Sequence, residues 1–248
     1  MDLEKKTAIV TGAGSGIGRA IAIRLAKGGA RVVVSDVNEE GGKQTVAEIA
    51  KAGGEAFFFR ADTSKPEEND ALVREARARY GALHIAVNNA GISGPMAPLA
   101  EYPLDEWDRV IAINLSGVYY GMRAQIPAMK QAGGGSIVNI SSILGQVGFR
   151  GFSAYVAAKH GVVGLTRNAA LDYGPDGIRV NAVGPAFIRT PMVENLDEQT
   201  KRSVVDLHPI GRMGEPSEVA ELVAWLASDR ASFVTGGYYA IDGGYLAQ

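Results

Sequence analysis

The chain has 248 residues, of which 46% are hydrophobic and 21% charged, and its net charge at pH 7 is −2. This size and composition are those of a globular protein with a substantial core, and the balanced charge argues against nucleic-acid or anionic-membrane partners. Because the chain contains no cysteine, disulfides and cysteine-ligated metal sites are excluded.

The sequence supports neither export nor membrane insertion of the protein. The N-terminal "MDLEKKTAIVTG" runs directly into a strand-like segment without the apolar region of a signal peptide. No apolar run approaches the roughly 20 residues that a membrane span needs. We therefore expect a cytoplasmic location and no membrane partner.

Short β-branched runs alternate with longer amphipathic segments along the whole chain. This alternation predicts parallel strands joined by helices that cover both faces of one sheet. No linker, repeat or low-complexity stretch divides the chain, so we predict a single domain over 1–248. Helices are predicted after each of the first three strands, over 103–131, from 153 towards 174, and over 216–229. The predicted strands are 7–12, 31–36, 55–62, 83–91, 135–142, 178–185 and 237–244.

The segment 186–216 is the irregular piece of this pattern. A stretch this long without a clear strand is often functional, so we predict a substrate-binding loop or lid. We expect it to line a substrate pocket together with 92–96 and 143–152. Its Met192, Val193 and Leu196, with Phe149 and Phe152, suggest a partly apolar, medium-sized substrate.

A glycine-rich turn, "TGAGSGIG", joins the first strand to the first helix. Its Gly12, Gly14, Gly16 and Gly18 would let a pyrophosphate approach the backbone at a helix N-terminus. Tight strand–helix turns also use glycine, so the motif alone leaves both interpretations open.

The second strand ends at Asp36, where a carboxylate can accept hydrogen bonds from adenosine ribose hydroxyls. The alternative is an N-cap for the following helix. A carboxylate at this position would repel a 2′-phosphate, and Val37, Asn38 and Ser15 offer no cation to neutralise one. We therefore predict NAD rather than NADP. Asp62-Thr63, after the third strand, is either an adenine contact or a plain turn.

Several motifs together resemble the short-chain dehydrogenase/reductase family over essentially the whole chain. They are "TGAGSGIG", "NNAG" (88–91), "NLSG" (114–117), "SS" before "SAYVAAK", and "IRVNAVGP", in that family's order and spacing. The resemblance implies a single-domain Rossmann fold, a doubly wound seven-stranded parallel sheet with the order 3-2-1-4-5-6-7. It also implies a homotetramer or homodimer.

The resemblance implies a catalytic set of four residues. Tyr155 would be the acid/base, and Lys159 would bind the nicotinamide ribose and lower the tyrosine pKa. Ser142 would polarise the substrate oxygen, and Asn114 would support a proton-relay water. Positions 155 and 159 share a helix face, and a cation about 4 Å from the phenol supplies about 4 kcal/mol at an effective dielectric of ~20.

Two of these assignments have alternatives at the level of the residues themselves. Ser141 competes with Ser142, because only one of two successive strand side chains faces the substrate. Asn114 could instead bond to the backbone of its own helix. His84, His160 and His208 lack a partner at a catalytic spacing, so we predict structural roles for them and no metal site.

The cofactor contacts follow from the same resemblance. The Asn89-Ala90-Gly91 backbone would lie along the dinucleotide, and the loop after the sixth strand would approach the nicotinamide carboxamide. This loop reads Gly184-Pro185-Ala186 where the family commonly shows Pro-Gly, which weakens the match at its individual residues. The predicted cofactor-binding residues are Gly12, Gly14, Ser15, Gly16, Ile17, Gly18, Asp36, Asp62, Thr63, Asn89, Ala90, Gly91, Tyr155, Lys159, Pro185, Ile188 and Thr190.

The functional prediction is an NAD-dependent oxidoreductase that transfers a hydride between the cofactor and a secondary alcohol or ketone. One alternative is a 3-oxoacyl carrier-protein reductase, which usually uses NADPH and is disfavoured by Asp36. A more distant one is an NAD-binding sensor or scaffold without turnover. Such a protein would be expected to lack part of the catalytic set, which is complete here.

Overall fold

The computed structural model describes residues 3–190, 193 and 197–247. Seven parallel strands form one sheet in the order β3-β2-β1-β4-β5-β6-β7, which is the predicted topology. The strands are β1 (Thr7–Thr11), β2 (Arg31–Asp36), β3 (Glu55–Arg60), β4 (Ile85–Asn88), β5 (Gly135–Ile140), β6 (Ile178–Pro185) and β7 (Tyr238–Ile241).

Helices cover both faces of this sheet and bury apolar side chains against it in two core clusters. One core cluster includes Ile21, Ile49 and Val219, from the first, second and last helices below. The other includes Leu72 and Met122, from the third and fifth. Within the described ranges, every helix is too short or too polar to cross a membrane. The helices are α1 (Gly16–Lys27), α2 (Glu39–Lys51), α3 (Pro66–Tyr80), α4 (Leu104–Ile111), α5 (Gly117–Gln131), α6 (Ser153–Tyr173), α7 (Glu198–Asp206) and α8 (Pro216–Ala227).

Several strands end earlier than their apolar runs predict. β4 ends at Asn88 and β5 at Ile140, so residues 89–91 and 141–142 lie just beyond the sheet. Asn89 turns back to β1 instead: its amide donates to the Thr11 hydroxyl and its side chain to the Thr11 carbonyl, at 3.0 and 2.9 Å. Both segments therefore line the crevice at the carboxyl edge of the sheet, where open α/β sheets bind ligands.

The predicted helix over 103–131 is continuous but irregular at its centre. A π-helical stretch, Ala112–Ser116, separates α4 from α5 and carries Asn114. Such π-bulges are rare and are frequent at functional sites.

The segment 186–216 is less irregular than the sequence indicates. It contains α7, whose N-cap Asp197 accepts a hydrogen bond from the Thr200 amide at 2.9 Å. A bridge between Ile188 and Gly214 closes its base. Met192 and Leu196, predicted to line the substrate pocket, lie outside the described residues.

A buried amide network joins the two central strands to the helices on one face. The Asn88 side chain donates to Asn139 at 2.8 Å and exchanges hydrogen bonds with Gln125 of α5. Asn139 donates to the Thr166 hydroxyl of α6 at 3.0 Å. All four side chains are at most 4% exposed. The network therefore ties β4 and β5 to the helix that carries Tyr155 and Lys159.

Replacing Asn139 by alanine is expected to lower the free energy of unfolding by about 1–3 kcal/mol. The Asn88 amide and Thr166 hydroxyl would each lose a partner while staying buried, which costs a desolvation penalty of that order. Urea unfolding measures the change. The matched control is Asn168→Ala, which removes an exposed amide from the same helix that holds Thr166 and should change stability by less than about 0.5 kcal/mol. Equal losses in both variants would contradict the prediction.

Candidate active site

A cleft of about 670 Å³ opens at the carboxyl edge of the sheet. It begins at the β1–α1 turn, where the strand order reverses between β1 and β4, and continues past α6 to the loop after β6. Two of the predicted site residues, Gly14 and Asn114, lie behind its wall. The predicted residues that line it are Gly12, Ser15, Gly16, Ile17, Gly18, Asp36, Asp62, Thr63, Asn89, Ala90, Gly91, Ser142, Tyr155, Lys159, Pro185, Ile188 and Thr190.

The β1–α1 turn leaves room that only glycine provides. Gly12 has φ +61°, and a Cβ there would lie 2.9 Å from the Ala90 Cα. A Cβ on Gly18 would overlap the Gly12 carbonyl oxygen. Ser15 caps α1 through its backbone only, so its side chain leaves the first amides of the helix free. This cradle fits the pyrophosphate of a dinucleotide.

Asp36 is held at the cleft by two backbone amides. Its Oδ2 accepts from the Gly14 amide at 2.8 Å, and its Oδ1 accepts from the Asn38 amide at 2.9 Å. The N-cap of α2 is Asn38, whose side chain accepts from Gly41 at 3.1 Å, so the N-cap alternative for Asp36 is wrong. Gly14 acts through this bond: its amide orients the carboxylate that faces the cleft.

Arg19 is a cation beside the glycine turn that the sequence reasoning did not consider. Its guanidinium donates to the Gly14 carbonyl at 2.5 Å and to the Thr45 hydroxyl at 3.1 Å. It also contacts Glu48 at 3.4 Å. These bonds fasten α1 to α2 and engage the guanidinium, and Arg19 is not among the described residues that line the cleft. The only sequence signal was an arginine in the first turn of a helix, which is common.

The Asp62-Thr63 pair lines the cleft and also forms a turn. The Asp62 Oδ1 accepts from the Ser64 amide and hydroxyl at 2.9 and 2.7 Å. Thr63 is buried, and its carbonyl accepts from Asn69 at 2.9 Å. The turn is therefore present, and the contact with adenine stays a prediction.

Asn114 is completely buried and supports the loop after β4. Its Oδ1 accepts from the Ile92 amide at 2.8 Å, and its Nδ2 donates to the Ile92 carbonyl at 2.7 Å. Neither atom bonds to the asparagine's own helix, which was the alternative. The side chain thus holds the Gly91-Ile92 backbone in place at the wall of the cleft.

Ser141 and Ser142 point in different directions. The Ser141 hydroxyl donates to the Lys159 carbonyl at 3.0 Å. The Ser142 hydroxyl accepts from the Leu144 amide at 3.2 Å and forms a hydrogen bond with Tyr155. Ser142 is therefore the serine whose hydroxyl lies beside the phenol.

Lys159 lies one helical turn from Tyr155 and is only 3% exposed. Its Nζ donates to the Ile140 carbonyl at 2.8 Å and lies 5.4 Å from the centre of the Tyr155 ring. Burial lowers the pKa of its amine to about 8. The amine therefore remains mainly protonated at neutral pH and supplies a positive charge beneath the phenol.

The pKa of Tyr155 shifts in the direction opposite to the one expected from Lys159. Burial raises the pKa of the phenol, and the hydrogen bond from Ser142 opposes that shift. The expected lowering of the Tyr155 pKa includes the attraction of the Lys159 charge but not the cost of removing the phenolate from water. Tyr155 is therefore a proton donor at neutral pH unless further positive charge stabilises its phenolate.

Apolar and aromatic side chains form the far end of the cleft. Phe149 lies 5.7 Å from Phe152 and 6.2 Å from Phe187 between ring centres. Met96 and Val193 complete this wall, and the Ala97 amide donates to the Gly151 carbonyl at 3.0 Å. The segments predicted to line a substrate pocket thus meet in the cleft that Tyr155 also lines, whereas Phe187 had not been singled out within its loop.

The three histidines make structural contacts. His84 accepts from the Thr7 amide at 3.0 Å, which joins the starts of β4 and β1. His160 and His208 each bond through Nδ1 to the carbonyl four residues earlier, at 2.9 and 2.7 Å. None of the three is among the described residues that line the cleft.

Comparison with known proteins gives consistent results. Residues 12–246 match the family model described as enoyl-(acyl carrier protein) reductase. Cyclohexanol dehydrogenase of Acinetobacter sp. is 50% identical over 98% of this chain and 96% of its own. Cis-4-hydroxycyclohexanecarboxylate dehydrogenase of Sinomonas cyclohexanicum is 47% identical over 98% and 97%. The crystal structure of levodione reductase superposes with a TM-score of 0.93, at 41% identity over 99% of both chains.

A doubly wound sheet with a glycine-lined dinucleotide cradle, and a tyrosine and lysine at its crevice, defines a nicotinamide-dependent oxidoreductase. The family model and the relatives identify the family within this class of oxidoreductases. The chain belongs to the short-chain dehydrogenase/reductase family and interconverts an alcohol and its carbonyl compound.

Proposed function

We propose that this protein is an NAD(H)-dependent dehydrogenase of neutral secondary alcohols whose carbinol carbon belongs to, or adjoins, a carbocyclic ring. The observation that carries the proposal is the aromatic wall formed by Phe149, Phe152 and Phe187 in the cleft that Tyr155 also lines. Flat apolar faces at this position favour a compact ring over a charged or extended chain.

The charge of the cleft supports a neutral substrate. Lys159 is the one cation among its described lining residues, and its Nζ is already bonded to Ile140. Residues 191–196 of the neighbouring loop contain no lysine or arginine either. A carboxylate on the substrate would therefore be buried without a partner, which is costly. Two relatives with about half of their residues identical are named for cyclohexane-ring alcohols, which agrees with a ring substrate. One of these named substrates is a carboxylate, so the preference for a neutral ring rests on the charge of the cleft alone.

The proposed mechanism assigns the proton to Tyr155. When the dinucleotide is bound, its nicotinamide would supply or take up the hydride, and the oxidised ring would add a positive charge. In ketone reduction the Tyr155 phenol donates its proton to the oxygen on which charge develops, and in alcohol oxidation the phenolate accepts it. Ser142 donates a hydrogen bond to the same oxygen. Lys159 stabilises the phenolate and would bind the nicotinamide ribose.

We assign the cofactor preference to Asp36. Its carboxylate is oriented at the cleft by Gly14 and Asn38, and Arg19 is committed to the Gly14 carbonyl. The one cation among the described residues that line the cleft is Lys159, on α6. Asp36→Asn is expected to raise the ratio of NADP to NAD kcat/KM about 10- to 100-fold. The amide keeps an acceptor for one backbone N–H and removes the charge that repels the phosphate. Steady-state kinetics with both cofactors measures the ratio.

Asp62→Asn is the matched control for this variant. Asp62 is the other acidic side chain among the described residues that line the cleft, but its Oδ1 accepts from Ser64 in a turn. It should change both cofactors to a similar extent and leave the ratio within about threefold. A wild-type preference for NADP, or an unchanged ratio in Asp36→Asn, would contradict the assignment.

The substrate proposal is tested with a panel that varies one feature at a time. NADH formation is measured with cyclohexanol, an open-chain secondary alcohol of the same carbon number, and 4-hydroxycyclohexanecarboxylate. The neutral ring alcohol should have the highest kcat/KM. A 3-oxoacyl thioester with NADPH tests the carrier-protein reductase, which no observation here favours. Dinucleotide binding without turnover of any substrate would support the sensor instead.

Assembly and location remain proposals that follow from the family. We propose a homotetramer or homodimer in the cytoplasm. The apolar side chains of Leu104, Trp107 and Leu171, on α4 and α6, are exposed and would be covered in such an assembly. Light scattering of the purified chain at micromolar concentration would show a monomer if this expectation is wrong.

A further inference from the structure

The side chain of Tyr238 crosses a strand to reach the proposed site. Tyr238 lies on the edge strand β7 and pairs with Ala182 of β6. Its hydroxyl nevertheless donates to the carbonyl of Ser142, just beyond the end of β5, at 2.9 Å. The phenol therefore spans β6 and connects the edge of the sheet with the serine that lies beside Tyr155.

Gly184 makes this crossing possible. It lies two residues after Ala182 on β6, and a Cβ at this position would overlap the Tyr238 ring and hydroxyl. Its backbone has no left-handed conformation that would itself require glycine. The glycine before Pro185 thus has a physical reason: any side chain there would displace the phenol.

The Ser142 carbonyl accepts a hydrogen bond from a residue that lies outside the turn of Ser142. It accepts two hydrogen bonds, one from the Gly145 amide at 2.9 Å within the same short turn and one from Tyr238. The ladder between β5 and β6 ends just before it, with the Ser141 amide donating to the Val183 carbonyl at 2.7 Å. Tyr238, on β7, thus contacts Ser142, and the Ser142 hydroxyl in turn lies beside Tyr155.

We propose that Tyr238 is a positioning residue for the reaction, which holds Ser142 in register with Tyr155, and that Gly184 is the neighbour it requires. This inference rests on the role proposed above for Ser142. Tyr238 itself does not line the cleft, so its effect on catalysis passes through Ser142. Burial and Asp242 raise the pKa of its phenol, so the hydroxyl remains a donor at any working pH.

The first test removes only the hydroxyl. Tyr238→Phe should lower kcat about tenfold and leave the Kd of NAD unchanged, since a displacement of a fraction of an ångström is felt by the reacting oxygen and not by the dinucleotide cradle. The matched control is Tyr239→Phe on the same strand, whose ring packs edge-to-face on Trp225. Its kcat should equal that of the wild type. Equal losses in the two variants would identify a general weakening of β7 and overturn the proposal.

A double-mutant cycle separates positioning from structure. If Tyr238 acts through Ser142, Tyr238→Phe should have no further effect on kcat in a Ser142→Ala background. A tenfold loss in that background would overturn the inference while leaving the role of Ser142 intact. If Ser142→Ala alone keeps full activity, the proposed role of Ser142 fails and the inference fails with it.

Variants of Gly184 and Tyr238 together give an independent test of the proposal. Gly184→Ala should lower kcat in the presence of the tyrosine, because the new methyl group pushes the phenol away from Ser142. In a Tyr238→Val background the same Gly184→Ala change should have little effect, since the ring that it meets is gone. Equal effects in both backgrounds would show that the two residues are not coupled.

Discussion

Replacing Tyr155 by phenylalanine is expected to lower kcat for a ring alcohol by about 10²- to 10⁴-fold, the range contributed by a positioned acid or base. The phenylalanine ring would keep the packing of Tyr155 against the small cluster of Tyr102, Val110 and Ala154, so the loss should come from the missing proton donor. Steady-state NADH formation measures kcat, and fluorescence titration measures the Kd of NAD. The Kd should change by less than about threefold, because the dinucleotide cradle lies on other elements.

Tyr102→Phe is a matched control for this prediction. The Tyr102 hydroxyl is buried in the same cluster and has no hydrogen-bond partner among the described residues. Its removal takes away a phenol close to the site without touching the proposed proton path, so kcat should stay within about twofold of the wild type. If Tyr155→Phe keeps most of its activity, or if Tyr102→Phe loses as much, then Tyr155 is not the acid/base.

The sequence predicts the frame of this molecule well because local pattern and global topology agree. Continuous apolar runs such as "RVVVSD" correspond to buried strands, and the strand order follows from the family motifs. The strand ends were predicted less well. Whether Asn89 continues β4 or turns back to Thr11 depends on a hydrogen bond to a residue far away in the chain, and no local signal records that choice.

The same distinction applies to the site. Spacing places Tyr155 and Lys159 on one helix face, but the direction of each pKa depends on burial that the spacing does not contain. Arg19 and Tyr238 carry no motif, and each acts through a backbone carbonyl of another segment. Motifs therefore predict which residues approach the cofactor, whereas the contacts that orient those residues appear only in three dimensions.

Lys159→Met is expected to lower kcat/KM about 10³-fold without destabilising the fold. The loss of activity follows from the removed cation, whose Nζ lies 5.4 Å from the Tyr155 ring centre. A charge at that range is worth about 3–4 kcal/mol to the phenolate at an effective dielectric of ~20. Stability responds differently because the buried ammonium is itself unfavourable. A pKa lowered from 10.5 to about 8 corresponds to about 3 kcal/mol of desolvation cost. Methionine removes that cost and leaves the Ile140 carbonyl unpaired, a penalty of about 1–3 kcal/mol.

The cost of burying the Lys159 charge predicts how the free energy of unfolding of the wild type, relative to Lys159→Met, changes with pH. Below pH 8 the amine is protonated in both states, and the folded wild type bears the full cost of burying the charge. Between pH 8 and 10.5 the folded chain loses the proton while the unfolded chain keeps it, so the stability of the wild type rises relative to Lys159→Met. Urea unfolding at pH 7 and pH 9.5, without dinucleotide, should show the variant at least as stable at pH 7 and its relative stability lower at pH 9.5. Lys43→Met, an exposed lysine paired with Glu39, is the control and should show no such change. A variant destabilised by more than about 3 kcal/mol at pH 7 would mean that the Nζ bond to Ile140 outweighs the buried charge.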